Sequence, residues 1–252
     1  MSLVAIGAII FVALMAAFEL GIRLRTSLRR YEQVPQETPD HLLTAVFGLL
    51  ALLLGFTFSL ALNRYEARRL LVVEEANALG TVWLRAELLQ EPMRATMQGS
   101  LKRYIDARVA WSEAEHSEAS WRAAQALQRQ IWEEVRIVEG ARPSGHLTRA
   151  IIDSVNESFD LASARVVARS DHLPDRVLSV LLLYMALSAT MMGYVLSGKG
   201  KSHRLATAQM LALLTLSMVV ILDLDRPRSG GIEVRQTALE DLKASVGRKL
   251  AP

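Results

Sequence analysis

The stretch from Leu42 to Glu91 constrains this chain most. It opens on an apolar run, LLTAVFGLLALLLGFTFSLAL, and passes without a proline into NRYEARRLLVVEEANALGTVWLRAELLQ. The apolar part carries no Asp, Glu, Lys or Arg, and about 20 such residues are what a helix needs to cross a bilayer core. The charged continuation keeps apolar residues at three- and four-residue steps, among them Leu70, Val73, Ala76, Leu79, Trp83 and Ala86. That spacing predicts a single rod, on the order of 70 Å long, that starts in lipid and ends outside it. Pro92 resets the chain direction.

Three more runs without a charged residue follow the same logic: Met1–Phe18, Val177–Gly198 and Leu205–Leu222. A soluble domain rarely holds one such run, so four transmembrane helices are predicted. The first lacks a basic leader, and LMAAFELG makes a poor cleavage site, so it is expected to be a retained helix. Small residues recur every third or fourth position at Ala13, Ala17 and Gly21, and again at Ala186, Ala189 and Gly193. In lipid such spacing lets two helix backbones approach closely. The segment from Arg23 to His41, with Arg23, Arg25, Arg29, Arg30, Pro35 and Pro39, is read as a connector.

The middle of the chain has no alternating strand pattern. Apolar residues at helical spacing mark helices through Met93–Val109, Trp121–Val138 and Leu147–Val166. A turn is expected near Glu115–Ser120, and Gly140-Ala-Arg-Pro-Ser-Gly145 is a loop. The predicted fold is an all-α membrane protein with four transmembrane helices and a long helical extramembrane bundle inserted between the second and third spans. Its parts are residues 1–63 (spans one and two), 64–175 (the bundle, continuous with span two), 176–222 (spans three and four) and 223–252. The last part holds a charged turn and an amphipathic helix over Thr237–Val246.

Little here points to an enzyme or to a cofactor. The absence of cysteine excludes thiol nucleophiles, disulfides and cysteine-ligated metals. The five histidines, His41, His116, His146, His172 and His203, form no metal-ligand spacing. Ser197-Gly-Lys-Gly-Lys-Ser-His-Arg204 lacks the spaced glycines of a phosphate loop and reads as a basic membrane loop. The net charge of +3 and the pI near 9.4 reflect arginines beside the spans, where anionic headgroups suffice as partners, so no nucleic-acid partner is expected. Asp153, Glu157 and Asp160 share a helix face, but one face offers a cation too few oxygens. Asp223 and Asp225 are more conspicuous. They stand with Arg226 and Arg228 at a span end before Pro227 and Gly230. Such a group forms either an ion-paired terminus or a clasp or ion site.

Leu54-Gly-Phe-Thr-Phe-Ser-Leu-Ala-Leu-Asn-Arg64-Tyr resembles the second transmembrane helix of bestrophins, with Gly55, Phe56, Arg64 and Tyr65 at matching spacing. Glu75-Ala-Asn-Ala-Leu-Gly80 and Leu222-Asp-Leu-Asp-Arg-Pro227 resemble a bacterial bestrophin-like family, and the predicted layout agrees. The resemblance implies a homopentameric, anion-permeable channel in the bacterial inner membrane, working on small inorganic ions, with span two lining the pore. Carried onto this chain, the bestrophin constriction falls on Gly48, Leu52 and Phe56, and Arg64 would set a ring of positive charge at the pore end. Positions i, i+4 and i+8 share a helix face, and stacked apolar rings can gate by dewetting. Gly48 stands where bestrophins have a bulky residue, and only Asp223 and Asp225 remain of the acidic calcium-binding run of animal members. Without the resemblance, the same face would be read as packing on neighbouring helices. The alternative function is a non-conducting sensor or scaffold acting through its helical domain.

Sidedness is not settled by charge. Density in the two short connectors would put them inside, while the raw count of arginines leans the other way. The resemblance places the bundle in the cytoplasm.

Overall fold

The computed structural model describes residues 2–28, 40–113, 118–141, 145–197, 204–226 and 230–249. Among them there are helices and no strand. In chain order they are α1 (Leu3–Leu28), α2 (Asp40–Ala86), α3 (Met93–Glu113), α4 (Glu118–Ala141), α5 (His146–Ser170), α6 (Asp175–Leu196), α7 (Arg204–Asp225) and α8 (Thr237–Lys249). Helical stretches within Leu3–Leu28, His41–Ala86, His146–Leu196 and Arg204–Asp225 are long and apolar enough to cross a membrane. The rod read from the sequence is α2, unbroken over 47 residues.

The chain divides into two compact units, residues 1–65 with 172–233 and residues 66–171 with 234–252. In the first, α1 packs against α6 and α7. Ile10, Leu14 and Phe18 of α1 meet Leu181, Met185, Ala189 and Met192 of α6 and Leu211, Met218 and Ile221 of α7. Leu50, Leu54 and Ala61 of α2 join the same core. The hydroxyls on these helices bond locally. Thr57 donates to Leu53 O at 2.8 Å, Ser188 to Tyr184 O at 2.8 Å and Thr215 to Leu211 O at 2.8 Å. A polar side chain satisfied by its own helix costs little in an apolar setting.

The small residues of α1 and α6 serve a close crossing. A Cβ on Gly21 would lie 1.9 Å from Thr190 O, and one on Gly193 would lie 2.0 Å from Phe18 O. Each glycine therefore faces the other helix's main chain, with no room for a methyl group.

One part of the sequence reading changes. The helix begun at Leu3 does not stop before Arg23 but continues to Leu28, taking Arg23 and Arg25 with it. Arg25 is buried and donates through Nη1 to Tyr194 O (2.9 Å) and Val195 O (3.3 Å). Its guanidinium lies 5.2 Å from the Tyr194 ring centroid. These carbonyls belong to the last turn of α6, where a cation is favoured. A fixed partner thus turns a supposed connector residue into a helical one. Arg29, Arg30, Pro35, Pro39, Lys199, Lys201, His116, His203, Pro227 and Arg228 lie outside the described residues.

In the second unit α3 packs against α4 and α8, and α4 against α5. The core joins Val72, Leu79, Val82 and Trp83 of α2 to Met97, Leu101, Tyr104 and Ile105 of α3. Ile131 and Val135 of α4, Ile151 and Val155 of α5, and Leu239 and Val246 of α8 complete it. The expected loop over Gly140–Gly145 is shorter on one side, since α4 includes Gly140 and Ala141. The last helix extends past Val246 to Lys249.

Candidate functional site

Along the part of α2 in the first unit the two faces differ. Leu50, Leu54, Thr57 and Ala61 are buried. Leu52 is 52% exposed and Phe56 62% exposed. Gly48 is open, and a Cβ there would meet nothing within 4 Å. Ala51, Gly55, Ser59 and Asn63 continue the same exposed face. Gly48, Leu52 and Phe56 stand one above another at four-residue spacing, so an unpartnered apolar strip runs for more than two turns. Arg64 is half-buried at the strip's end, and its Nη1 donates to His172 O at 3.1 Å.

Asp223 and Asp225 sit at the other end of the sequence motif. Asp225 is buried, and its Oδ1 accepts from the Leu173 N–H at 2.8 Å. Asp223 Oδ1 accepts from the Gly231 N–H at 2.8 Å. A Cβ on Gly230 would lie 1.6 Å from that same oxygen, so a larger residue there would have to displace the Asp223 carboxylate. The two carboxylates thus bind backbone at both flanks: Asp225 ties the segment entering α6, and Asp223 ties the segment leaving α7. Among the described residues no group of three His, Asp or Glu side chains is placed to hold a metal ion. Asp153, Glu157 and Asp160 are all exposed on α5.

The second unit holds a charge cluster that the sequence reading did not single out. Glu75 of α2 is fully buried and accepts from Arg108 of α3 and Arg165 of α5. Arg165 also donates to Gln236 Oε1 at 2.7 Å. The Arg108 guanidinium lies 4.4 Å from the Trp111 ring centroid and 5.4 Å from that of Trp121. Arg165 and Arg169 lie 5.4 Å and 4.9 Å from the Trp111 ring centroid. Aromatic faces attract such cations where water is excluded. Tyr104 beside them accepts from Gln128 Nε2 at 2.8 Å, and burial pushes its phenol well above the usual range. A signal existed in the sequence. Glu75 falls between Val72 and Ala76, and Arg108 beside Ile105 and Val109, so each interrupts an apolar stripe. A charge on a buried face needs an opposite one.

A family model for the bestrophin-like domain matches residues 6–239. The chain belongs to the bestrophin-like family. Its helices superpose on crystal structures of single-residue variants of a bestrophin homologue from Klebsiella pneumoniae. One has a TM-score of 0.72 and 13% identity, covering 96% of this chain and 99% of that one. Another has a TM-score of 0.71 and 13% identity, covering 94% and 97%. A variant of a protein described as a membrane protein gives 0.69 and 14%, covering 96% of both chains. At such identity the likeness carries the fold. No curated protein matches the chain in sequence. Family and apolar helices together make this bestrophin-like chain an integral membrane protein.

Proposed function

We propose that this bestrophin-like protein is an oligomeric, anion-permeable channel, most simply a homopentamer, with α2 lining the pore. The observation that carries the reading is the exposed strip of α2. Helix-packing residues cover the opposite face, while Leu52 and Phe56 leave more than half of their apolar surface uncovered by their own chain. Around a shared axis, copies of Leu52 and Phe56 form apolar rings that can close by dewetting, and Gly48 leaves its level wide. Arg64, held by the His172 carbonyl, adds a positive ring that raises local anion concentration. Asp223 and Asp225 act as clasps on the ends of the spans, each accepting from a backbone N–H. Residues 64–175 form the extramembrane bundle, on the cytoplasmic side of the inner membrane.

Two measurements on the detergent-solubilised protein test this reading. Its mass should be that of several chains, five in the simplest case. In planar bilayers it should conduct anions, and Phe56→Ala should raise the unitary conductance. A monomeric particle, or currents indifferent to Phe56→Ala, would overturn the pore assignment. A stoichiometric second protein with no current would favour the scaffold.

A further inference from the structure

A cavity of about 150 Å³ lies between the start of α3 and the second half of α4. Pro92, Thr96 and Ile137 form its exposed rim, and Met97 and Val138 are buried below them. The charged residue in its wall is Glu134, 8% exposed. Its two carboxylate oxygens differ. Oε1 accepts from Ser100 Oγ and from Gln130 Nε2, the latter at 3.2 Å. Ser100 is held in turn by Gln130 Nε2 at 3.0 Å and by Arg103 Nη2 at 2.9 Å. Oε2 is buried and has no partner.

We propose that this cavity binds a small primary alkylammonium ion. The ammonium would sit on Glu134 Oε2 and the alkyl chain among Met93, Met97, Ile137 and Val138. Three features select that chemistry. An ionised carboxylate only accepts, so the missing partner is a donor, and a cationic donor also offsets the buried charge. Apart from Thr96 on the rim the remaining walls are apolar, which disfavours a metal cation needing several oxygens. The volume matches that of an engineered apolar cavity that takes up benzene, so a chain of about four carbons fits. Donors on Oε1 fix the carboxylate's orientation before a ligand arrives. Oε2 is buried, so part of the wall must turn aside for the ammonium to reach it, and the wall holds two unbranched, adaptable side chains, Met93 and Met97.

Isothermal titration of n-butylammonium into the solubilised full-length protein tests this, with n-butanol as the uncharged control. Saturable binding of one ion per chain is expected, with n-butanol at least tenfold weaker. Glu134→Gln should raise the dissociation constant about tenfold or more, the scale of one charge-assisted hydrogen bond. Ile137→Trp, which fills the rim and leaves Glu134 in place, should abolish binding. It decides the matter should Glu134→Gln fail to fold. Absence of saturable binding by the unsubstituted protein, or undiminished binding by either variant, would overturn the proposal. None of these readings depends on whether the protein conducts.

Discussion

Glu75 holds two guanidinium groups away from water, and the balance is not neutral. One carboxylate faces Arg108 and Arg165, with aromatic rings beside both and the Gln236 amide oxygen accepting from Arg165. Removing its charge leaves both arginines buried with no counter-ion. Breaking a buried pair in this way typically costs about 3–5 kcal/mol. Glu75→Gln should therefore lower the thermal unfolding midpoint sharply in a circular-dichroism melt, although Gln matches the shape. A midpoint within a degree or two of the unsubstituted protein would show that the aromatic faces, not the ion pair, hold Arg108. Glu91 is the opposite case. It is exposed and held below the usual carboxylate range by a hydrogen bond from Arg94, so its loss should be almost silent.

Among the elements, the α1–α6 pair makes the sharpest statement. Gly193→Leu would drive a side chain into the Phe18 carbonyl, and Gly21→Leu into that of Thr190. Main chain cannot step aside as a side-chain tip can, so each variant should lose at least the about 1–3 kcal/mol typical of overpacking. The check is the yield and melting midpoint of the solubilised protein, with Gly48→Ala, at an open position, as the unaffected control. Much of this element-level structure was legible. Runs free of charge gave the apolar helices, and three- and four-residue spacing gave α2 through to Ala86. The small-residue spacing flagged both sides of the crossing. Arg25 was not legible, because a charge past a span looks like a loop until its partner is known. That partner is a pair of carbonyls some 170 positions away. For the Glu75 cluster the interrupted stripes showed that a partner was needed, but not which one, since it joins α2, α3 and α5 across long separations. At the candidate site the strip of Gly48, Leu52 and Phe56 was visible as a helical face. Its lack of a partner within the chain required the coordinates.

For the molecule as a whole, the chain's lack of cysteine gives a clean way to test which side the bundle occupies. Ala123 is exposed on α4, so Ala123→Cys introduces a single thiol on that bundle. On the proposed cytoplasmic placement it should resist a membrane-impermeant maleimide in spheroplasts and react once they are permeabilised. Labelling before permeabilisation would put the bundle on the face away from the cytoplasm. The glycine crossing bears on motion as well. Where two helices touch main chain to main chain, there are no rotamers to flip and no ridges to jump. Such a seam has no second setting. Any rearrangement of the first unit must carry α1 and α6 as one piece of hardware. The moving parts belong where glycine leaves slack instead of contact, as Gly48 and Gly55 do on α2.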